Sequence, residues 1–241
     1  MLISILIPCY NAAPWLANCI ESALAQTYPH TEIILLVDEG STDGSLQIAP
    51  KYSNRIMMMT SPHQDQQATR NQLFALSHGE WIQWLDADDE LLPEKIEKHL
   101  QFALAQQADA VYGDYFFGVY ENGKHLLTKR HSPPDSFVKA LLNGREGLAP
   151  NSVFLWRRAM LETIKKSKGQ VWSTAPQYLG GSNNGAVLCF EAVSLGAKLV
   201  KMSEPLTLYR SWSPYQTSRR KRAERRQVAD LLAKMLPVEA A

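Results

Sequence analysis

"WIQWLDADDELLP", residues 81–93, runs an apolar segment straight into four carboxylates, Asp86, Asp88, Asp89 and Glu90. A short apolar run closed by polar residues reads as a buried strand ending in a turn. Two ionised carboxylates about 4 Å apart repel by roughly 4 kcal/mol at an effective dielectric of about 20. A cation must compensate the cluster, or water must reach it. The neighbouring sequence bears on which.

Upstream the same arrangement occurs twice more. "LISILIP" (2–8) is a continuous apolar run suited to a strand buried on both faces. Residues 14–26, "PWLANCIESALAQ", place Trp15, Leu16, Cys19, Ile20, Ala23 and Leu24 at helical spacing behind Pro14, which suits a first turn. "EIILLV" (32–37) predicts a second strand ending in "DEGSTDG", where Ser41 or Thr42 can cap a helix running to about Tyr52. "RIMMMTS" (55–61) predicts a third strand and 66–78 a helix. "WIQWL" is the fourth strand, followed by a helix from Pro93 to about Gln106. Such alternation predicts an α/β fold with a mainly parallel, Rossmann-like sheet and helices on both faces. Ligands of these sheets bind outside the carboxyl ends of the strands. Pro8–Asn11, Asp38–Asp43 and Asp86–Asp89 all fall there.

The second half is less regular. "DAVYGDYFFGVYENGKHLLTK" (109–129) predicts two strands joined at Asn122-Gly123, and "APNSVFLWRRAMLETI" (149–164) passes from strand or loop into helix. Residues 170–185 read as a loop long enough to suggest function. A helix at about 186–195 and strands near 197–201 and 206–210 follow. From 217 the chain reads "TSRRKRAERRQVADLLAKML", a basic run leading into an amphipathic helix.

Composition excludes several classes. A formal net charge of +1 gives no field that would steer the chain to nucleic acid, and the one basic run lacks interleaved aromatics. Three cysteines without CxxC spacing argue against a disulfide framework or zinc site and suit a reducing cytoplasm. No apolar run approaches the roughly 18 residues of a membrane span. "MLISILIP" lacks a basic n-region, so no signal peptide is expected. The expectation is a cytoplasmic protein. No G-x-G-x-x-G follows the first strand, against a dinucleotide-dependent oxidoreductase.

Mg²⁺ and Mn²⁺ prefer carboxylate and phosphate oxygens and bind through one or two carboxylates plus substrate phosphates. The i, i+2 spacing of Asp86 and Asp88 lets one face a ribose and the other the metal. The alternative is a solvated turn whose charges favour the N-terminus of the next helix.

In order and spacing, "ISILIPCYN" (3–11), "EIILLVDEGSTDGS" (32–45), "QQATRNQLFALSHGEWIQWLDADD" (66–89) and "LLPEKIEKHL" (91–100) resemble a family 2 glycosyltransferase of the GT-A fold. Weaker echoes reach about residue 210. The resemblance implies a nucleotide-sugar-binding half at 1–110 and an acceptor-side half of the same domain at 111–215, and the sequence pattern adds a basic C-terminal helix at 216–241. It also implies an enzyme that moves a sugar from a UDP-sugar to a saccharide or lipid-linked acceptor, with inversion and a divalent cation. Pro8 and Tyr10 would then pack on the base, and Asp38 and Glu39 would contact uracil or ribose. Arg70 would lie near the nucleotide, Asp86 at the ribose or donor sugar, and Asp88 at the metal. Glu39 stands where the family usually has Asp.

Inverting transfer needs a base near the acceptor hydroxyl. Where the family commonly has a carboxylate, this chain has Asn183, Asn184 and Gly185. The remaining carboxylate of that helix, Glu191, is a substitute base candidate, and Asp114 is another acidic residue that can face the acceptor. The alternative to an enzyme is a GT-A domain that binds a nucleotide-sugar without transferring it. The basic segment within 217–236 can touch an anionic membrane surface or a partner, or can cover the core as a solvated helix.

Overall fold

The computed structural model describes residues 1–121, 124–135, 149–173 and 184–211. The alternation of the first half folds as β1 (Ile3–Cys9), α1 (Ala13–Leu24), β2 (Thr31–Asp38), α2 (Ser45–Ile48), β3 (Met57–Ser61), α3 (Gln66–Leu76) and β4 (Trp81–Trp84). Then come β5 (Glu90–Leu91), α4 (Lys95–Ala105), β6 (Ala110–Gly113), β7 (Tyr115–Glu121) and β8 (Lys124–His131). The described chain closes with β9 (Phe154–Arg157), α5 (Arg158–Lys168), α6 (Asn184–Ser194), β10 (Leu199–Met202) and β11 (Thr207–Ser211).

A seven-stranded sheet has the order β10-β6-β9-β4-β1-β2-β3, parallel except for β9, which runs against both neighbours. The apolar runs of β1 and β2 divide by period two between its faces. Ile5, Ile7, Leu35 and Val37 join the cluster with Leu16 and Ile20 of α1, while Leu6, Ile34 and Leu36 join Leu73 and Phe74 of α3. Burying each such side chain stabilises by about 1.5–3 kcal/mol. Entry to β4 is fixed by Gly79, whose N–H donates to Ser4 Oγ at 2.7 Å. A Cβ there would sit 2.5 Å from Ser4 N.

A four-stranded sheet, β5-β11-β7-β8, lies beside the end of β4. The predicted pair of strands over 109–129 is three, because Asp114 breaks the run. Its carboxylate accepts from Arg130 Nη2 at 2.7 Å and Ser132 Oγ at 2.7 Å. The predicted helix to Tyr52 is only α2 plus one 3-10 turn over Ala49–Tyr52. Neither Ser41 nor Thr42 caps it: the cap is Gly44 at φ 95°. Asn122-Gly123, most of the 170–185 loop and the basic segment at 216–241 lie outside the described residues. Among the described residues no helix is long and apolar enough to cross a membrane.

Candidate active site

The carboxyl ends of β4, β1 and β2 lie side by side because the three strands are adjacent and parallel, and the loops after β1 and β2 are tied together. Asn11 adopts φ 48°, a conformation Asn tolerates, and its Oδ1 accepts from Thr42 N–H at 2.8 Å. Ala13 N–H donates to Asp43 at 2.8 Å and Ala12 N–H to Ser45 Oγ at 3.0 Å. Pro8 is half-buried at the end of β1 and Tyr10 is 52% exposed beyond it.

At the end of β2, Asp38 and Glu39 differ. Asp38 is buried, and its carboxylate accepts from Gly40 N–H at 2.7 Å, Gln64 N–H at 3.4 Å and His63 Nδ1 at 3.0 Å. Glu39 is exposed and accepts from Thr60 Oγ1 at 2.8 Å. The His63 ring lies against Tyr10 with centroids 5.1 Å apart. Sequence reading missed His63, because it follows Pro62 in an irregular turn where no period marks it.

The four acids at the end of β4 have different partners. Asp86, half-buried, accepts from the buried Arg70 Nη2 at 2.6 Å. Arg70 itself stacks under Trp172, its guanidinium carbon 4.7 Å from the ring centroid. Asp89 is fully buried and accepts from Ser152 Oγ at 2.6 Å and Arg210 N–H at 3.1 Å. Burial, reinforced by the charges of Asp88 and Asp86, pushes the Asp89 carboxyl well above its ordinary range. Glu90 pairs with the Arg210 guanidinium, which also donates to the Asp88 carbonyl at 3.0 Å and lies over Trp15. Asp88 keeps a half-exposed position at the apex. Arg210 and Ser152 were also missed, since only the folded chain brings them to the acids.

Beneath this tip a polar chain enters the core. Lys95 Nζ donates to Gln83 Oε1 at 2.5 Å, and Gln83 Nε2 to the Ser152 carbonyl at 2.9 Å. Burial holds the Lys95 amine well below its ordinary value.

Among the described residues no three His, Cys, Asp or Glu side chains form a ready cage for a metal. The donor set still fits a cation that brings its own ligands. Three half-exposed carboxylates, Asp86, Asp88 and Glu90, flank the buried Asp89, and phosphate oxygens can complete such a shell.

Of the base candidates, Asp114 is occupied by Arg130 and Ser132. Asn183 lies outside the described residues, and Asn184 opens α6. A Cβ on Gly185 would come 2.3 Å from Asn151 Oδ1, so this helix start is pressed against Asn151. Glu191 is buried seven residues on, about 10 Å further along the helix. Burial raises its carboxyl, partly offset by Lys168.

Residues 4–165 match the family model described as glycosyl transferase family 2. The chain belongs to this family. It is 32% identical over 174 residues to the putative glycosyltransferase EpsH of Bacillus subtilis, covering 68% of this family 2 chain and 49% of that protein. It is 38% identical over 149 residues to an uncharacterized glycosyltransferase of Haemophilus influenzae, covering 60% and 58%. The chain thus spans about half the length of these curated relatives. Among solved structures, TarS of S. aureus with UDP-GlcNAc aligns with TM-score 0.68 at 17% identity, covering 99% of this chain and 68% of that one. The mannosyltransferase PcManGT of Pyrobaculum calidifontis, with GDP-Man and Mn²⁺, aligns with TM-score 0.70 at 14% identity, covering 98% and 64%. The fold is that of the GT-A glycosyltransferases.

Proposed function

We propose that the chain transfers a sugar from a UDP-sugar to a saccharide or lipid-linked acceptor, with inversion and with a divalent cation, Mn²⁺ or Mg²⁺. The observation that carries this reading is the meeting of three strand ends, with Asp88 a half-exposed carboxylate of an arginine-braced acid cluster. The structural neighbours TarS, with UDP-GlcNAc, and PcManGT, with GDP-Man and Mn²⁺, support a nucleotide-sugar and a metal. A relative named as a putative teichuronic acid biosynthesis glycosyltransferase of Bacillus subtilis supports a saccharide acceptor.

In this reading Pro8 and Tyr10 form the wall of the base site, and Asp38 and Glu39 its polar edge. Arg70 orients Asp86 toward the ribose or donor sugar, and Asp88 is the metal ligand. The cation supplies neutralisation of the charge developing on the nucleoside diphosphate leaving group. Glu191 is the proposed base, and the burial that raises its carboxyl makes the carboxylate a better proton acceptor. Residues 1–110 form the donor half and 111–215 the acceptor half. The basic segment within 217–236 touches the cytoplasmic face of a membrane, where a lipid-linked acceptor would be presented.

A second reading, nucleotide-sugar binding without transfer, is favoured by the start of α6. The chain has Asn184 and Gly185 there instead of a carboxylate, and Gly185 lies against Asn151. Calorimetric titration with UDP, with Mn²⁺ and after EDTA, tests the common ground, and sugar release from the donor separates the two readings. The enzyme reading expects metal-dependent binding with turnover that Glu191→Gln reduces about a hundredfold. Binding without turnover under any acceptor favours the second reading. Absence of UDP binding overturns both.

A further inference from the structure

Asp38 and His63 form a unit that the carried-over roles do not contain. The Asp38 side chain is only 4% exposed, whereas that of His63 is 63% exposed and lies across it. Its acceptor sites take Gly40 N–H, Gln64 N–H and the imidazole, so a base arriving from solvent meets His63 before it can meet the carboxylate. The fit is tight on the protein side: a Cβ on Gly40 would lie 3.1 Å from His63 Cβ and 3.1 Å from Nδ1. Tyr10 supplies a second ring 5.1 Å away at an interplanar angle of 40°, so the two rings form a partly exposed aromatic corner at the ends of β1 and β3.

The chemistry of the pair fixes what His63 offers. A carboxylate only accepts, so Nδ1 carries the hydrogen, and in the neutral ring Nε2 is left with a lone pair. No side chain among the described residues donates to Nε2. While the ring is neutral, a heterocycle lying on Tyr10 is therefore met by an acceptor. Uracil carries N–H at N3, whereas cytosine has a lone pair there.

We infer that His63, held in one tautomer by Asp38, reads the base of the donor nucleotide by accepting the uracil N3–H, and that Asp38 is the positioning residue behind it. This rests on the nucleotide-sugar reading and sharpens it into a rule for the base. UDP and CDP share ribose, diphosphate and metal contacts, so their ratio isolates the base edge.

The experiment is calorimetric titration of the full chain with UDP, CDP and N3-methyl-UDP at fixed Mn²⁺, for the wild type, His63→Ala and Asp38→Asn. Wild type should bind UDP about tenfold tighter than either analogue. His63→Ala, an exposed position, should keep its unfolding midpoint and bring the UDP-to-CDP ratio to about one. In Asp38→Asn the amide can donate to Nδ1 and release the hydrogen to Nε2, so the ratio should fall although His63 remains. A purely structural Asp38 would weaken both nucleotides equally, and that result overturns its positioning role. Equal UDP and CDP binding by wild type, or an unchanged ratio in His63→Ala, overturns the inference and leaves the nucleotide-sugar reading standing. Failure of the wild type to bind UDP at any Mn²⁺ concentration overturns the reading, and the inference with it.

Discussion

Asp38 at the end of β2 and Asp89 at the end of β4 are buried carboxylates on the same sheet edge, but they are satisfied by different means. Asp38 takes two backbone N–H groups and an imidazole, all from residues up to 26 positions away. The β4 acids are balanced by two buried guanidinium groups, Arg70 sixteen positions from Asp86 and Arg210 one hundred and twenty from Glu90. A carboxylate satisfied by backbone N–H groups and one imidazole can support a surface that reads a ligand. A cluster held by guanidinium charges is a frame: it stays intact only while every charge keeps its complement.

That contrast can be broken most strongly at Arg210. Arg210→Ala leaves Glu90 without its guanidinium and should destabilise by about 3–5 kcal/mol, read as a shifted urea midpoint. An unshifted midpoint would show that the tip balances its charge without the arginine. Asp88→Asn should come next, in function rather than stability. UDP affinity should lose its Mn²⁺ dependence while the midpoint moves by less than about 0.5 kcal/mol. Persisting metal dependence would move the ligand role elsewhere in the cluster.

Lys95 tests the frame from below. Its folded-state value is depressed by burial, so the stability it contributes is fully present above 10.5 and is lost as pH falls through the folded value. Lys95→Met removes that titration. The difference in stability between the two proteins should therefore grow in favour of the variant as pH falls from 10.5, and a pH-independent difference would mean that the amine is not penalised. The smallest effect is expected at Glu39, which is exposed. Glu39→Ala should weaken UDP about threefold with little change in unfolding, and an equal loss in both would make the residue structural.

Much of the fold was legible because periodicity is local. The apolar runs of β1, β2 and β4 carry their own period-two division between the faces, and Pro14 with the Trp15–Ala23 spacing marks α1. The three polar strand ends were legible for the same reason. Pairings were not. Nothing in "DADDE" says that Asp89 bonds Ser152 and Arg210 while Asp86 bonds Arg70, because these partners are chosen by sheet order. The over-long second helix failed at Gly44 and Pro50, where a left-handed residue and a missing N–H outweigh the pattern. His63 gave no periodic signal at all.

The antiparallel pairing of β11 with β5 has a consequence in time. It sets Leu208 opposite Glu90 and so brings Arg210 to the acids, and β11 is the last described strand to be synthesised. A growing chain can pair β1, β2 and β4 long before that. Contacts this distant in sequence form late, after the loop between them has closed. The acid tip therefore matures last: until β11 docks, the nascent fold has a sheet but no finished centre, and Asp89 remains wet. Pulse-labelled amide exchange should find the Arg210 N–H protected after those of β1 and β2, and simultaneous protection would contradict this order.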